Sequence, residues 1–243
     1  MEDCKYPSID KFIEGLKALD IELSQLQLKQ FIDYYEMLVE WNDVMNLTAI
    51  IEFDEVIQKH FIDSLSLVKA YRLTEEKVLD MGTGAGFPGI PLKIVFPEIK
   101  ITLLDSLNKR INFLNAVIEK LQLNDITAVH GRAEDFGHDI NYREAFDICV
   151  SRAVAKIATL AEYCVPYVKK GGYFIPYKSG KIEDELQAGT RALKFLGAEL
   201  VKTVEFTLPD TDMERSLVII KKNSSTSKKY PRSAGKPTKE PLA

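Results

Sequence analysis

The sequence predicts an α/β fold, in which a mostly parallel sheet with helices on both faces follows an N-terminal helical region. Two patterns indicate this fold. From Lys77 onward, short apolar runs alternate with segments of helical periodicity, the pattern of right-handed βαβ units. Near the C-terminus, only 209–214 separates the apolar runs 200–208 and 215–220. This spacing predicts a hairpin whose last strand lies antiparallel at or near the end of the sheet.

The region before Lys77 is predicted to be helical. Ser8 is placed to cap a first helix, and Ser24 with Gln27 forms a capping-box pattern that opens a longer helix ending near Asn46. A third helix is predicted after Asp54. The predicted buried stripe of the second helix consists of Leu28, Phe31, Tyr35, Leu38 and Val39.

The alternating region predicts seven strands and four helices. Strands are expected at 78–81, 101–104, 126–129, 146–150, 173–176, 200–208 and 215–220. Helices are expected at 89–95, 109–121, 157–168 and 182–196. The chain thus divides into a helical region at 1–73, a sheet domain at 74–222 and a tail at 223–243. We expect the tail to be extended, because it is rich in Ser, Lys and Pro.

Composition excludes several classes of protein. The chain has 243 residues, 46% of them hydrophobic and 28% charged, as in an ordinary soluble domain. No apolar run approaches the roughly 18 residues of a membrane helix, and the start lacks the features of a secretory signal. The three cysteines, Cys4, Cys149 and Cys164, form no C-x-x-C pair, which favours a reducing compartment. We expect a cytoplasmic monomer. We also expect no bound metal, since the three histidines lack metal-ligand spacing.

Charge is distributed unevenly along the chain. The net charge is −4, which on average argues against a nucleic-acid binder. Residues 221–243 nevertheless contain seven Lys and Arg against one Glu, whereas 1–220 is strongly acidic. A basic tail on an acidic body indicates either a polyanionic partner or a solvated terminus.

A glycine-rich loop carries the clearest functional signal. Residues 80–89, Asp-Met-Gly-Thr-Gly-Ala-Gly-Phe-Pro-Gly, directly follow the first predicted strand and open the first crossover helix. Gly82, Gly84 and Gly86 allow sharp turns and the close approach of a ligand to the backbone, and the helix beyond offers free N–H groups to an anionic group. The next strand ends at Asp105, where a carboxylate can accept hydrogen bonds from the two hydroxyls of an adenosine ribose. A nucleotide-type site is predicted here.

Asp80 favours S-adenosyl-L-methionine over a dinucleotide as the cofactor. Gly84-x-Gly86-x-x-Gly89 matches the dinucleotide fingerprint, but such a match is weak by itself. The Asp80 carboxylate would repel a pyrophosphate, whereas it suits the ammonium of a methionine moiety. Tyr177-x-x-x-Lys181 has the spacing of a dehydrogenase pair, yet Ser179-Gly180 within it predicts a loop.

These residues and others along the chain carry a family resemblance. The sequence resembles the bacterial glucose-inhibited division protein B family, the 16S rRNA (guanine-N7) methyltransferases, over nearly its whole length. It departs at Thr83, where Ser or Ala is expected, and at Tyr177-Lys178-Ser179-Gly180, where the family often has Lys-Gly directly. The matching motifs are Trp41-Asn42, Met45-Asn46-Leu47-Thr48, His60-Phe61-Ile62-Asp63-Ser64-Leu65, residues 82–91, Leu104-Asp105-Ser106, Lys109-Arg110, Phe113-Leu114, Gly131-Arg132-Ala133-Glu134, Ser151-Arg152-Ala153-Val154-Ala155 and Tyr230-Pro231-Arg232 with Gly235 and Pro237.

The resemblance implies a class I methyltransferase fold, Rossmann-like with a seven-stranded sheet, and assigns residues to its cofactor. Gly82 and Phe87 would hold the methionine end, and Arg152 would line the transfer site. Around the ribose and adenine it implies Asp105, Ser106, Leu107, Ala133 and Glu134.

The implied reaction is methylation of a guanine N7 in the 530 loop of 16S rRNA. This nitrogen has a free lone pair and loses no proton, so positioning and electrostatics suffice without a general base. We interpret Arg152 as the residue that holds the target base or its phosphate. The residues expected to bind RNA phosphates are Lys109, Arg110, Arg132, Lys228, Lys229 and Arg232.

Three alternatives remain open from the sequence. A small-molecule methyltransferase would leave the basic tail without a function. A nicotinamide-dependent oxidoreductase would bind NAD, which Asp80 disfavours. An RNA-binding or assembly module would bind RNA and show no turnover.

Overall fold

A computed structural model describes residues 9–152 and 155–242. One sheet has the order β3-β2-β1-β4-β5-β7-β6. Its strands are β1 (Lys77–Met81), β2 (Lys100–Asp105), β3 (Ile126–His130), β4 (Phe146–Arg152), β5 (Val168–Ser179), β6 (Ala198–Thr207) and β7 (Glu214–Lys222). Strands β1 to β5 pair in parallel, and β7 lies antiparallel between β5 and β6. Both the seven predicted strands and the antiparallel hairpin are confirmed.

Helices cover both faces of this sheet. They are α1 (Ile9–Lys17), α2 (Gln25–Met45), α3 (Phe53–Val56), α4 (Asp63–Leu65), α5 (Gly89–Val95), α6 (Asn108–Lys120), α7 (Ala133–Phe136), α8 (Ile157–Cys164), α9 (Glu183–Leu196) and α10 (Lys236–Lys239). A π-helical turn, Ile57–Ile62, joins α3 to α4, and 3-10 turns cover Ser66–Lys69 and Val165–Tyr167. Among the described residues, no helix has both the length and the apolar character of a membrane span.

The N-terminal helices pack directly on one face of the sheet domain. The Ser24–Gln27 capping box opens α2, and Asn46 ends it in the left-handed conformation, as predicted. The predicted cap Ser8 lies outside the described residues, as do Cys4, Ala153 and Val154. In the predicted stripe of α2, Phe31 and Leu38 are buried as expected, whereas Leu28, Tyr35 and Val39 are only partly buried. Tyr34, which the predicted stripe did not include, is fully buried where α2 packs on the sheet domain.

The C-terminal tail folds onto the opposite face, so the expectation of an extended segment is wrong. Tyr230 joins the hydrophobic cluster formed by α8 and α9. Arg143 donates hydrogen bonds to the carbonyl oxygens of Thr226, Ser227 and Tyr230 at 2.7–3.1 Å. Buried apolar surface and satisfied carbonyl groups together hold this part of the chain in place.

The two cysteines within the described residues lie in the interior. Cys149 in β4 and Cys164 in α8 are free and buried. Burial raises the pKa of the Cys164 thiol well above its usual range. A buried thiol with a raised pKa is a poor nucleophile, so Cys164 serves packing.

Candidate active site

The glycine loop between β1 and α5 forms the floor of the site. Gly82, Gly84 and Gly86 all have positive φ, at 70°, 63° and 101°. A Cβ on Gly84 would meet nothing within 4 Å, so this part of the loop is open to a ligand. A Cβ on Gly86 would lie 2.7 Å from the Tyr34 hydroxyl. That hydroxyl donates to the Ala85 carbonyl at 2.5 Å, so α2 supports the loop from behind.

Asp80, at the end of β1, stabilises the loop and keeps one oxygen without a partner. Its Oδ2 accepts from the Thr83 hydroxyl at 2.6 Å and from the Gly89 N–H at 2.8 Å. The first N–H of α5 therefore points at Asp80 rather than at a ligand, contrary to the expected use of this helix end. The buried Oδ1 has no hydrogen-bond partner among the described residues. Burial raises the pKa of the Asp80 carboxyl to about 6.

Asp105, at the end of β2, lies opposite the loop. Its Oδ2 accepts from the Gly84 N–H and its Oδ1 from the Leu107 N–H, both at 2.9 Å. Arg110 donates to the same carboxylate at 3.1 Å. Because a carboxylate has about four acceptor sites, these contacts orient the group and leave limited capacity for ribose hydroxyls. Leu107 contributes its backbone, and its side chain is largely exposed.

Two cavities meet at Asp105. The first, about 330 Å³, is lined by β1 and β2 ends, by Ala133 and Glu134 of α7 and by Tyr163 of α8. The second, about 370 Å³, is lined by Thr83, Gly84, Phe87, His60 and Arg152, among others. The residues that line both cavities are Gly82, Asp105 and Ser106. A bent groove therefore runs over the loop with the Asp105 carboxylate at its middle.

Glu134, which the resemblance places beside the adenine, contacts the C-terminal tail. Its Oε1 accepts from the Gly235 N–H of the tail at 3.0 Å. Tyr163, on the same cavity wall, shares a hydrogen bond with the Thr238 hydroxyl at 2.8 Å. The tail thus contacts two residues that line the first cavity.

Arg152, at the end of β4, joins a buried charge cluster. Its Nη1 donates to Asp63 Oδ2 at 2.9 Å and to the Lys59 carbonyl at 3.1 Å. Arg215 of β7 donates to the other oxygen of Asp63 at 2.8 Å. The π-helical turn before α4 exposes the carbonyl that Arg152 uses. The guanidinium also lies over the Phe87 ring, 5.2 Å from its centroid.

His60 is packed against the aromatic ring of Phe87. Its ring stacks on Phe87 with centroids 4.4 Å apart, and its Nε2 lies 3.0 Å from the Thr48 hydroxyl. Burial, followed by the nearby Arg152 charge, lowers the pKa of His60 to about 4. The ring is therefore neutral near pH 7.

A third cavity, which we call the outer cleft, adjoins the groove. It has a volume of about 550 Å³ and shares His60 and Arg152 with the second cavity. Its lining residues are Ile50, Lys59, His60, Asp63, Arg152, Ala155, Leu160, Tyr177, Lys178, Ser179, Ile182, Glu185 and Arg215. The three cavities thus adjoin one another in order: the first cavity, the second cavity and the outer cleft. Arg152 and His60 lie at the junction between the second cavity and the outer cleft.

The residues predicted to bind RNA fall into two groups. Arg132, Lys228 and Lys229 are exposed. Lys109 is exposed but donates to the Met45 carbonyl at the end of α2 at 2.7 Å. Arg232 is an internal ion-pair partner: its guanidinium binds the fully buried Glu162 carboxylate at 2.7–3.1 Å. Tail folding thus directs Arg232 inward.

Sequence reasoning did not assign several residues that the fold brings to the site. No sequence pattern indicated Tyr34, Tyr163 or Arg215 as site residues, since each lies in an element distant in the sequence from the glycine loop. Asp63 lies within the His60–Leu65 motif that carried the resemblance, so that motif could have identified it. Tyr177 lies in β5, and its hydroxyl donates a hydrogen bond to the Ser64 carbonyl at 2.7 Å. Because Tyr177 is in a strand, it forms no helical pair with Lys181.

Comparison with known proteins identifies the family. The family model for GidB, rRNA small subunit methyltransferase G, matches residues 27–218. A protein named ribosomal RNA small subunit methyltransferase G from Lachnoclostridium phytofermentans is 61% identical, over 95% of this chain and 96% of that protein. Relatives of the same name from Thermoanaerobacter sp. and Lactococcus lactis are 52% and 48% identical, over 98% and 96% of this chain and 100% and 98% of their own lengths.

Solved structures agree on the fold. The chain matches M. jannaschii TYW2 in complex with AdoMet with a TM-score of 0.54, at 15% identity over 72% of this chain and 79% of that one. A Haloferax volcanii methyltransferase solved with the activator Trm112 gives a TM-score of 0.56, at 12% identity over 77% and 98% of the two chains. The class I fold predicted from the sequence is confirmed, and the chain belongs to the GidB family of S-adenosylmethionine-dependent rRNA small subunit methyltransferases.

Proposed function

We propose that this protein methylates N7 of one guanine in the 530 loop of 16S rRNA. The observation that supports it is the series of cavities: a bent groove over the glycine loop opens past Arg152 into the outer cleft. A cofactor in the groove and a base in the outer cleft would meet at Arg152. We expect the protein to act as a cytoplasmic monomer without a metal.

The residues of the groove fit S-adenosyl-L-methionine. The unpartnered Oδ1 of Asp80 suits an ammonium group, and the open face of Gly84 leaves room beside the backbone. Asp105, Ser106 and Leu107 would surround the ribose. The other residues proposed to hold the cofactor are Gly82, Gly86, Phe87, Ala133, Glu134 and Arg152.

The chemistry needs an electrophilic methyl group and a free lone pair. When bound, S-adenosylmethionine supplies a methyl on a sulfonium sulfur, which the lone pair of guanine N7 attacks while the S–C electron pair stays on sulfur. No proton leaves N7, and the neutral His60 at the junction takes none. Arg152 can donate to guanine O6, which orients N7 toward the groove.

Charged side chains at the junction position the substrate. Asp63 accepts from Arg152 and fixes its guanidinium beside the path of transfer. Lys109, Arg110 and Arg132 at the sheet edge, with Lys228 and Lys229 of the tail, would contact RNA phosphates; Arg232 would support the tail from within.

Nucleoside mass spectrometry tests the proposal. Ribosomal RNA from cells that lack the protein is supplied free and as intact small subunits, each with purified protein and S-adenosylmethionine. We expect new 7-methylguanosine in at least one sample and, by fragment mapping, in the 530 loop. The matched control omits the cofactor. Methylation at another atom or no methylation despite cofactor binding would overturn the proposal; the second result would favour a small-molecule acceptor or a binding module.

A further inference from the structure

Residues 232–240, which we call the tail loop, are held at both ends by one arginine. Arg232 binds the fully buried Glu162 carboxylate of α8 through its backbone N–H and its guanidinium, at 2.7–3.1 Å. The same guanidinium donates to the Glu240 carbonyl at 2.7 Å. Because Arg232 contacts both α8 and the far end of the segment, the residues between form a closed loop on this helix.

The tail loop lies on the face of α8 that borders the first cavity. The Thr159 hydroxyl donates to the buried Pro237 carbonyl at 3.2 Å, and Tyr163 shares a hydrogen bond with Thr238 at 2.8 Å. Thr159 and Tyr163 are four residues apart, so they lie on one face of the helix. Tyr163 also lines the first cavity. The tail loop is therefore adjacent to the cavity in which we place the adenine.

Glu134 uses its two carboxylate oxygens differently. Its Oε1 accepts from the Gly235 N–H of the tail loop at 3.0 Å. Its Oε2 has no hydrogen-bond partner within residues 9–152 and 155–242. The side chain lines the first cavity and is only 9% exposed. A carboxylate has about four acceptor sites, so Glu134 keeps acceptor capacity for a ligand in that cavity.

We propose that the tail loop positions Glu134 as the acceptor for the exocyclic amine of the cofactor's adenine, and thereby makes the site selective for adenine. The Gly235 N–H fixes Oε1, so Oε2 is the oxygen left for the cavity. This inference rests on the proposed place of the adenine. A purine with a 6-oxygen would present a second acceptor to Oε2, and a buried acceptor that faces another acceptor loses its hydrogen bond. Gly235 is then a positioning residue, which acts through Glu134.

Two ligands that differ at one group test the inference by calorimetric titration. S-Adenosyl-L-homocysteine has a 6-amine on its purine, and S-inosyl-L-homocysteine has a 6-oxygen. The wild-type protein should bind the adenosyl compound at least about 100-fold more tightly. In Glu134→Gln, the amide oxygen should accept from the Gly235 N–H, which directs the amide nitrogen into the cavity. We expect this variant to bind the two ligands within about threefold or to prefer the inosyl compound.

An amide-to-ester replacement at residue 235 tests the tail loop itself. Cell-free translation with glycolic acid at this position replaces the Gly235 N–H by an ester oxygen and changes no side chain. In the Glu134→Gln protein the freed amide can then turn its oxygen into the cavity. The preference for the adenosyl compound should therefore rise by at least about tenfold.

The matched control is the same replacement at Gly180. The Gly180 N–H donates to the Glu214 carbonyl at 3.1 Å, and neither residue lines the first cavity. This ester should leave the ratio of the two affinities unchanged in the Glu134→Gln protein. Thermal unfolding of each protein shows that it is folded at the temperature of the titration.

The outcomes separate the inference from the proposed place of the adenine. A ratio in Glu134→Gln that the ester at residue 235 leaves unchanged would overturn the positioning role of the tail loop. So would a wild-type ratio in Glu134→Gln together with a lowered ratio in Glu134→Ala, because the amide would then turn freely. Equal ratios in the wild type, Glu134→Gln and Glu134→Ala would instead contradict the place of the adenine beside Glu134.

Discussion

The Arg152 guanidinium at the end of β4 donates to the Asp63 carboxylate of α4 at 2.9 Å, across 89 residues of sequence. Both side chains are nearly buried, at 12% and 7% exposure. This pair joins the N-terminal helices to the sheet at the junction of the groove and the outer cleft. The packing of the helical region therefore involves the residue that we propose to hold the target base.

Arg152→Ala should reduce methyl transfer at least about 100-fold, because the base loses the donor that orients N7 toward the groove. Cofactor Kd should change by only a few-fold. The variant leaves Asp63 with one partner, so stability should also fall by about 3 kcal/mol. Single-turnover methylation, calorimetry and thermal unfolding measure the three effects.

Arg152→Lys separates the two roles of this residue. It keeps the positive charge beside Asp63 but loses the planar fork, so it should restore stability more than turnover. Turnover at the wild-type rate in this variant would remove the guanidinium from our mechanism.

Tyr34→Phe should weaken cofactor binding about fivefold, since the loop loses the hydrogen bond to the Ala85 carbonyl, worth about 1 kcal/mol. The matched control is Tyr35→Phe. Tyr35 donates to the Ile51 carbonyl at 3.1 Å, away from the loop. Calorimetric titration should show a change for Tyr34→Phe only; equal effects of the two variants would mean that α2 does not position the loop.

Cofactor affinity should fall at acidic pH through Asp80. Burial raises the pKa of its carboxyl to about 6, and only the ionised form attracts an ammonium. Affinity should be flat above pH 7 and about tenfold weaker at pH 5. His60, whose pKa is lowered to about 4, stays neutral over this range. Asp80→Asn should bind weakly with no pH dependence, and a wild-type Kd constant from pH 5 to 7 would contradict the assignment.

Unfolding must be followed in the same buffers, because the two shifted groups act on stability in opposite directions. The raised pKa of Asp80 stabilises the fold as pH falls from about 6 toward 4. The lowered pKa of His60 destabilises it as pH falls from 6.5 toward about 4. Thermal melts at each pH therefore separate loss of affinity from loss of folded protein.

The tail should show two separable roles. Arg232→Ala leaves the buried Glu162 carboxylate without its guanidinium, so we expect a loss of about 3 kcal/mol in thermal unfolding. The exposed pair Lys228→Ala and Lys229→Ala should leave stability within about 0.5 kcal/mol. That double variant should bind RNA more weakly with a shallower salt dependence. An unchanged salt slope would leave the tail with a structural role alone.

Truncation after Asn223 would not separate the structural role of the tail from its role in RNA binding. It removes the exposed lysines together with Arg232, Tyr230 and the Gly235 N–H that contacts Glu134. Weaker RNA binding by a truncated chain would then follow from a damaged first cavity as readily as from lost phosphate contacts. Point variants are the sharper measurement.

Local sequence patterns predicted much of the fold. The glycine loop and α5 are found where they were expected, because the 82–91 motif and the strand before it are contiguous. β5 shows where local pattern is insufficient: it was predicted at 173–176 but covers Val168–Ser179. Gly171 and Gly172 resemble a turn in sequence, and they lie at a register shift between β5 and β4, with Val168 opposite Phe146 before the shift and Tyr173 opposite Ile148 after it. The four-residue α7 is too short to produce a periodic signal.

By itself, the sequence determined the order of strands and helices along the chain, the glycine loop and the acids at the ends of β1 and β2, because these depend on neighbouring residues. The tertiary structure alone decided which distant residues meet. Asp63 and Arg215 are 152 residues apart and share an ion pair. Arg232, predicted to face RNA, turns inward to Glu162 instead. Such pairs form because a buried charge needs a partner, and only the packed chain determines which partner lies within reach.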